Sequence, residues 1–117
     1  MLKRGGRSRV VLVTCVTLTE ARRIARTVVG KRLAACVNIS VNAVESFYTW
    51  KGKLERTREY LVVMKTTAKR LAELENEVKR LHSYEVPEFI ALPITEGSAK
   101  YLSWLEDSVT KARKRRK

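Results

Sequence analysis

The chain has 117 residues, 44% of them hydrophobic, and carries 25 basic against 12 acidic side chains for a formal net charge of +13. That length holds one domain with its own core, and that apolar content excludes a disordered chain. No apolar run approaches the roughly 18 residues of a membrane-spanning helix, and two cysteines, Cys15 and Cys36, are too few for a disulfide scaffold.

The charge is uneven. Lys3, Arg4, Arg7 and Arg9 lie at the start and Lys111, Arg113, Lys114, Arg115, Arg116 and Lys117 at the end, which leaves 15 basic against 12 acidic residues between positions 10 and 109. The expectation is a disordered basic head over 1–9, a single domain over 10–109 and a basic tail over 110–117. Nucleic acid would be held only non-specifically through these ends and released by salt. The head runs into a strand-like segment with no small-residue cleavage signal, so a cytoplasmic rather than a secreted protein is expected.

Val10 to Val16, VVLVTCV, reads as a central strand. Thr17 or Thr19 is placed to cap the following helix, and Glu20 adds negative charge at its start. Ala21, Ile24, Ala25, Val28 and Val29 recur at helical spacing, with Arg22, Arg23 and Arg26 on the wet side. Leu33 to Ser40 is a second strand whose alternation breaks at Asn42-Ala43, where a bulge is expected.

Residues 43–66 then read as one long β-hairpin. Val44 to Trp50 and Leu61 to Thr66 are rich in β-branched and aromatic residues, and Lys51-Gly52-Lys53 forms the tip. The returning arm starts polar at Glu55 and turns apolar at Tyr60, so its outer half should project from the body. Phe47, Tyr48 and Trp50 then need cover that so small a chain does not supply, and other subunits are expected to provide it. Thr66 or Thr67 is placed to cap a second helix with Leu71, Leu74, Val78 and Leu81 on one face. After a connection held extended at Val86 by Pro87, Phe89 to Ile94 is a last strand, set at an edge by Pro93. A short helix with Tyr101, Leu102, Trp104, Leu105 and Val109 closes the chain.

Strand, helix, strand, strand, helix, strand and a closing helix make a ferredoxin-like βαββαβ α+β sandwich. Two helices cover one sheet face, and cyclic oligomerisation would close the other.

There is no glycine-rich phosphate loop, no paired-cysteine metal motif and no Ser-His-Asp order. Asn38 is available for acyl-phosphate chemistry, but Thr17-Leu18-Thr19 lacks the arginine and glycine such a site needs. Trp50 with Lys51 and Lys53 does not match the paired aromatics of an RNA-binding sheet. In the expected topology the first strand and the second helix end at one pole, where Cys15, His82 and Glu59 would meet. Thiolate, imidazole and carboxylate suit copper or zinc with an open position. The structural alternative is a Cys15 buried in the core, a capping His82 and a Glu59 paired with Arg58 or Lys65. Tyr84, Glu85 and Glu88 beside His82 form a second place where a small ion would fit.

Several stretches in order resemble the CutA divalent-cation tolerance family: KRLAACVN at 31–38, YTWKGKL at 48–54, MKTT at 64–67, LHSYEVP at 81–87, LPI at 92–94 and YLSWL at 101–105. The resemblance covers residues 10–109. It implies a ferredoxin-like subunit in a homotrimer with intersubunit hairpins, no catalysis, and binding of divalent metal ions: Cu(II) or Cu(I), with Zn(II) weaker. It carries the metal-ligand role onto Cys15, Glu59 and His82. Where the family pattern has proline after the histidine, this chain has Ser83. The other reading is a small-molecule-sensing or scaffolding trimer, similar to the nitrogen-signalling proteins that share this subunit topology.

Overall fold

Alternating burial along the first long strand decides the architecture. The computed structural model describes residues 1–110, in the order β1 (Leu2–Arg4), β2 (Ser8–Cys15), α1 (Leu18–Gly30), β3 (Cys36–Ile39), β4 (Val44–Trp50), β5 (Lys53–Thr67), α2 (Leu71–Leu81), β6 (Ile90–Pro93), β7 (Glu96–Ser98) and α3 (Ala99–Val109). On β2, Val11, Val13 and Cys15 are fully buried, and they share one core with Val62 and Met64 of β5, Ala21, Ile24 and Val28 of α1, and Leu74 and Val78 of α2. Successive side chains of a strand leave on opposite faces, so every second residue of β2 meets the helices. Val10 and Leu12 fall on the other face and are only half-buried.

The main sheet runs β3-β5-β2-β6, antiparallel at every step, and β4 pairs with the outer part of β5. This is the ferredoxin-like order, with α1 and α2 on one face. α3 forms a smaller cluster through Leu102, Leu105 and Val109 with Ala35 and Ile94. β6 is an edge strand that ends at Pro93, where the missing N–H costs no ladder bond.

The hairpin turns on Lys51 and Gly52, both left-handed at φ 52° and 80°, between paired Trp50 and Lys53. Two consecutive positive φ values make the primed turn whose twist matches the strands. From Ile39 to Val44 the chain takes five steps while its partner takes three, from Val62 to Glu59. The extra residues form the expected irregularity around Asn42-Ala43. Phe47, Trp50 and Leu54 remain exposed on the projecting arm.

Two expectations are corrected. The head is not disordered: Leu2–Arg4 pairs with Glu96–Ser98, Gly5 N–H donates to Thr95 O, and Lys3 Nζ donates to Ser103 Oγ. A Cβ on Gly5 would meet the Ile94 carbonyl oxygen at 1.6 Å, so glycine is what lets the head cross there. Neither Thr66 nor Thr67 caps α2 with its side chain. A 3-10 turn, Ala68–Arg70, intervenes, and the Thr66 hydroxyl donates instead to Leu33 O at 2.6 Å. The basic tail, apart from Thr110, lies outside the described residues.

Candidate metal centre

Three elements end at one pole. β2 stops at Cys15, α1 begins three residues later, and α2 stops at Leu81 with His82 as its C-cap. Thr17 caps α1 by accepting from Glu20 N–H at 3.1 Å, which sets Glu20 in the first helical turn beside the end of β2. The Glu20 side chain does not fold back on its own helix, and its Oε1 accepts from Ser83 N–H at 3.0 Å.

His82 is buried, and its partners define its tautomer. Nε2 lies 2.7 Å from Thr14 O, which can only accept, so Nε2 carries the hydrogen. Nδ1 lies 3.0 Å from Tyr84 N–H, which can only donate, so Nδ1 carries the lone pair. The same nitrogen lies 3.6 Å from Glu20 Oε2, a buried oxygen with no geometric hydrogen bond among the described residues. Cys15 completes the group: ligand atoms of Cys15, Glu20 and His82 all lie within 4.8 Å of one another.

Of the residues singled out from sequence, Cys15 and His82 are brought together. Glu59 is buried but is not a member of this group. Its Oε2 accepts from Tyr84 Oη at 2.7 Å, and it forms no ion pair with Arg58 or Lys65. Glu20 is the carboxylate grouped with Cys15 and His82, while the charge of Glu59 also reaches Cys15. The threonine three residues before Glu20 was the available signal, because a Thr-x-x-Glu start puts the glutamate in the first turn of the helix. Cys15 is also part of the hydrophobic core, so the structural and the chemical alternatives for it coincide.

Burial raises the Cys15 thiol to about 12, assisted by the negative charge of Glu20, by a side-chain hydrogen bond to Glu20 and then by the charge of Glu59. A thiol held protonated is a poor nucleophile at neutral pH, and a metal ion must displace its proton. Burial, then the bond to Glu59, raises the Tyr84 phenol. Burial, then Glu59, raises the Glu88 carboxyl.

Beside the group lies a cavity of about 670 Å³ lined in part by Thr14, Glu59, Ser83, Tyr84, Glu85 and Glu88. Among the described residues, lysine and arginine are absent from its lining although the chain is strongly basic. A cleft of one sign of charge focuses field and concentrates ions of the other sign. The carboxylates flanking Tyr84 that sequence marked as a place for a small ion line a separate acidic pocket, which borders Thr14 and Ser83 and does not include Cys15, Glu20 or His82.

The residues present fit a transition-metal ion. Ligands on one zinc ion lie about 2.0–2.3 Å from it, so two of them are at most about 4.6 Å apart. Tetrahedral angles bring two such ligands to roughly 3.3–3.8 Å, so a spread of up to 4.8 Å closes by about an ångström when an ion is bound. Sulfur, imidazole nitrogen and carboxylate oxygen suit zinc or copper better than calcium or magnesium. The Nε2–H bond to Thr14 O is the kind of outer contact that orients a ligating histidine.

Comparison with known proteins gives a consistent picture. Residues 9–108 match the family described as CutA1 divalent ion tolerance protein. The chain is 46% identical over 99 residues to the divalent-cation tolerance protein CutA of Thermus thermophilus, covering 85% of this chain and 95% of that one. It is 40% identical over 99 residues to the protein of the same name from Archaeoglobus fulgidus, with the same coverage. The solved CutA1 of Oryza sativa superposes with a TM-score of 0.86 at 42% identity, over 91% of this chain and 96% of that one.

Proposed function

This chain belongs to the CutA1 divalent ion tolerance protein family, and on that footing we propose that it binds a divalent transition-metal ion at Cys15, Glu20 and His82. The observation that carries the reading is the meeting of two acceptors: His82 Nδ1 and the buried Glu20 Oε2 lie 3.6 Å apart. The Cys15 thiol proton is the other group shared with that carboxylate, and a cation that displaces it is held by all three side chains. Copper is held more tightly than zinc, following the general order of divalent affinities and the softness of the thiolate. Glu59, behind Tyr84 Oη, is the further carboxylate within the same pole.

The role is binding and release rather than catalysis. Cys15, pushed up to about 12, is not poised as a nucleophile. The subunit assembles as a homotrimer through the arm, where exposed Phe47, Tyr48 and Trp50 find the cover that one chain leaves undone.

Titration of the purified protein with Zn(II), and with Cu(I) under reducing conditions, tests the site. Saturation near one ion per subunit is expected, with H82A and C15A each weakening binding while leaving the assembly intact. A C15A/H82A protein that binds with wild-type affinity and stoichiometry overturns the site. Ultracentrifugation tests the assembly, and a folded monomer at micromolar concentration removes the trimer from the proposal.

A further inference from the structure

Ser83 and Tyr84 occupy lone pairs on three acidic or basic groups that come from three different elements. Ser83 N–H donates to Glu20 Oε1 at 3.0 Å, Tyr84 N–H to His82 Nδ1 at 3.0 Å, and Tyr84 Oη to Glu59 Oε2 at 2.7 Å. These contacts are not equivalent for an incoming ion. A carboxylate has several lone-pair positions, and Glu20 Oε2 makes no geometric hydrogen bond among the described residues. A neutral imidazole has one lone pair, and here Tyr84 N–H already holds it. Ligation by Nδ1 therefore requires Tyr84 N–H to leave, and Tyr84 is tied down by the contacts on either side of that amide.

We propose that residues 83–84 form a strap that competes with the metal ion for His82 Nδ1, and that its two anchors, Ser83 N–H on Glu20 and Tyr84 Oη on Glu59, set how tightly the site holds its ion. This rests on the metal-binding reading above. Both anchors are hydrogen bonds to carboxylates, a stronger class than neutral pairs. Weakening either one lowers the cost of lifting the amide, so the ion binds more tightly and leaves more slowly. Neither anchor residue contributes a ligand atom. Ser83 and Tyr84 are thus affinity-setting residues, and the identity of residue 83 acts through its backbone hydrogen rather than its hydroxyl.

Proline removes that hydrogen and puts its ring Cδ in the hydrogen's place, so Glu20 Oε1, now 3.0 Å from the nitrogen, must turn aside. The residue before a proline must be extended, and His82 already lies at φ −83° and ψ 141°. Ser83→Pro therefore deletes the Glu20 anchor while the histidine keeps its backbone conformation. Ser83→Ala retains the N–H and serves as the reference, and Tyr84→Phe deletes the other anchor from the opposite end.

The experiment is a competitive Zn(II) titration of the full chain, wild type and the three variants, with circular dichroism confirming each fold. S83P and Y84F are expected to bind zinc about tenfold more tightly than wild type, the equivalent of one charged hydrogen bond at the low end of its range, and S83A to match wild type. Hydrogen exchange gives a second readout: Tyr84 N–H is expected to be protected in the metal-free protein and to lose protection when zinc saturates. Wild-type binding with S83P and Y84F both within twofold of S83A overturns the strap while leaving the metal site standing. Tyr84 N–H protection that persists at saturating zinc does the same. Absence of zinc binding in all four proteins overturns the metal reading and the strap with it.

Discussion

The body of the sandwich and its projecting arm use the same strand-forming residues to opposite ends. In the body, Val11, Val13, Val62 and Met64 are fully buried beneath α1 and α2. On the arm, Phe47 is 61% exposed and Leu54 76%, although both sit in regular antiparallel register. The arm keeps a regular ladder, but each of its strands is paired on one side only, whereas β2 and the inner part of β5 are paired on both. The helices separate the two further. Each fully buried aliphatic side chain contributes about 1.5–3 kcal/mol, and the arm forgoes that gain within one chain. Stability resides in the layer contact, while the arm keeps its apolar surface for another surface.

The difference is broken most strongly from the body side. Leu74→Ala on α2 empties a fully buried position facing both sheet and α1 and is expected to cost about 2–5 kcal/mol in chemical denaturation. A cost no larger than that of an exposed arm substitution would erase the contrast.

A charge inside the body sharpens it next. The folded protein keeps the Cys15 thiol protonated up to about 12, while the unfolded chain releases that proton from its ordinary value of 9.0. The unfolded state binds fewer protons in this window, so the stabilising contribution is whole below pH 9 and is lost as pH rises toward 12. Metal-free wild type should therefore lose stability more steeply than C15A across that range, by on the order of 1 kcal/mol per pH unit. Parallel pH curves for the two proteins would show the thiol ionising freely in the fold.

The smallest effect belongs to the arm's own charges. Arg56 Nε lies 3.4 Å from Glu45 Oε2 with both side chains more than half exposed. R56A is expected to change thermal stability by no more than about 0.5 kcal/mol. A loss comparable to L74A would mean that the arm is a structural member of the single chain.

These contrasts also mark what the sequence could disclose. β2, α1, the hairpin tip at Gly52 and the edge at Pro93 were legible because periodicity, capping and turn chemistry are local. The Leu2–Arg4 strand was not legible, since three residues with two charges carry no pattern and their order comes from Glu96–Ser98 at the far end of the chain. The cap of α2 misled for a similar reason. Thr66 has the right chemistry, but Leu33 O, brought in by another element, takes its hydroxyl. At the candidate site Cys15 and His82 followed from topology. Glu20 reads from sequence only as helix-start charge, and its second role depends on α2 ending beside it. Glu59 was placed at the right pole, and only the approach of Tyr84 decides where its carboxylate is engaged.

The central position of β2 has a consequence in time. Val11 lies beside Met64 on one side and Ala91 on the other, so the strand leaves the ribosome long before either neighbour exists. At about 5–20 residues per second, its apolar run waits several seconds for β5 and longer for β6. During that wait it is the segment of the nascent chain most able to pair with a foreign edge. Arg7 and Arg9 before it, and Arg22, Arg23 and Arg26 soon after, bracket it with like charge. Flanking charges of this kind keep nascent chains apart. Part of the basic excess that invites a nucleic-acid interpretation thus protects the chain while it is being made.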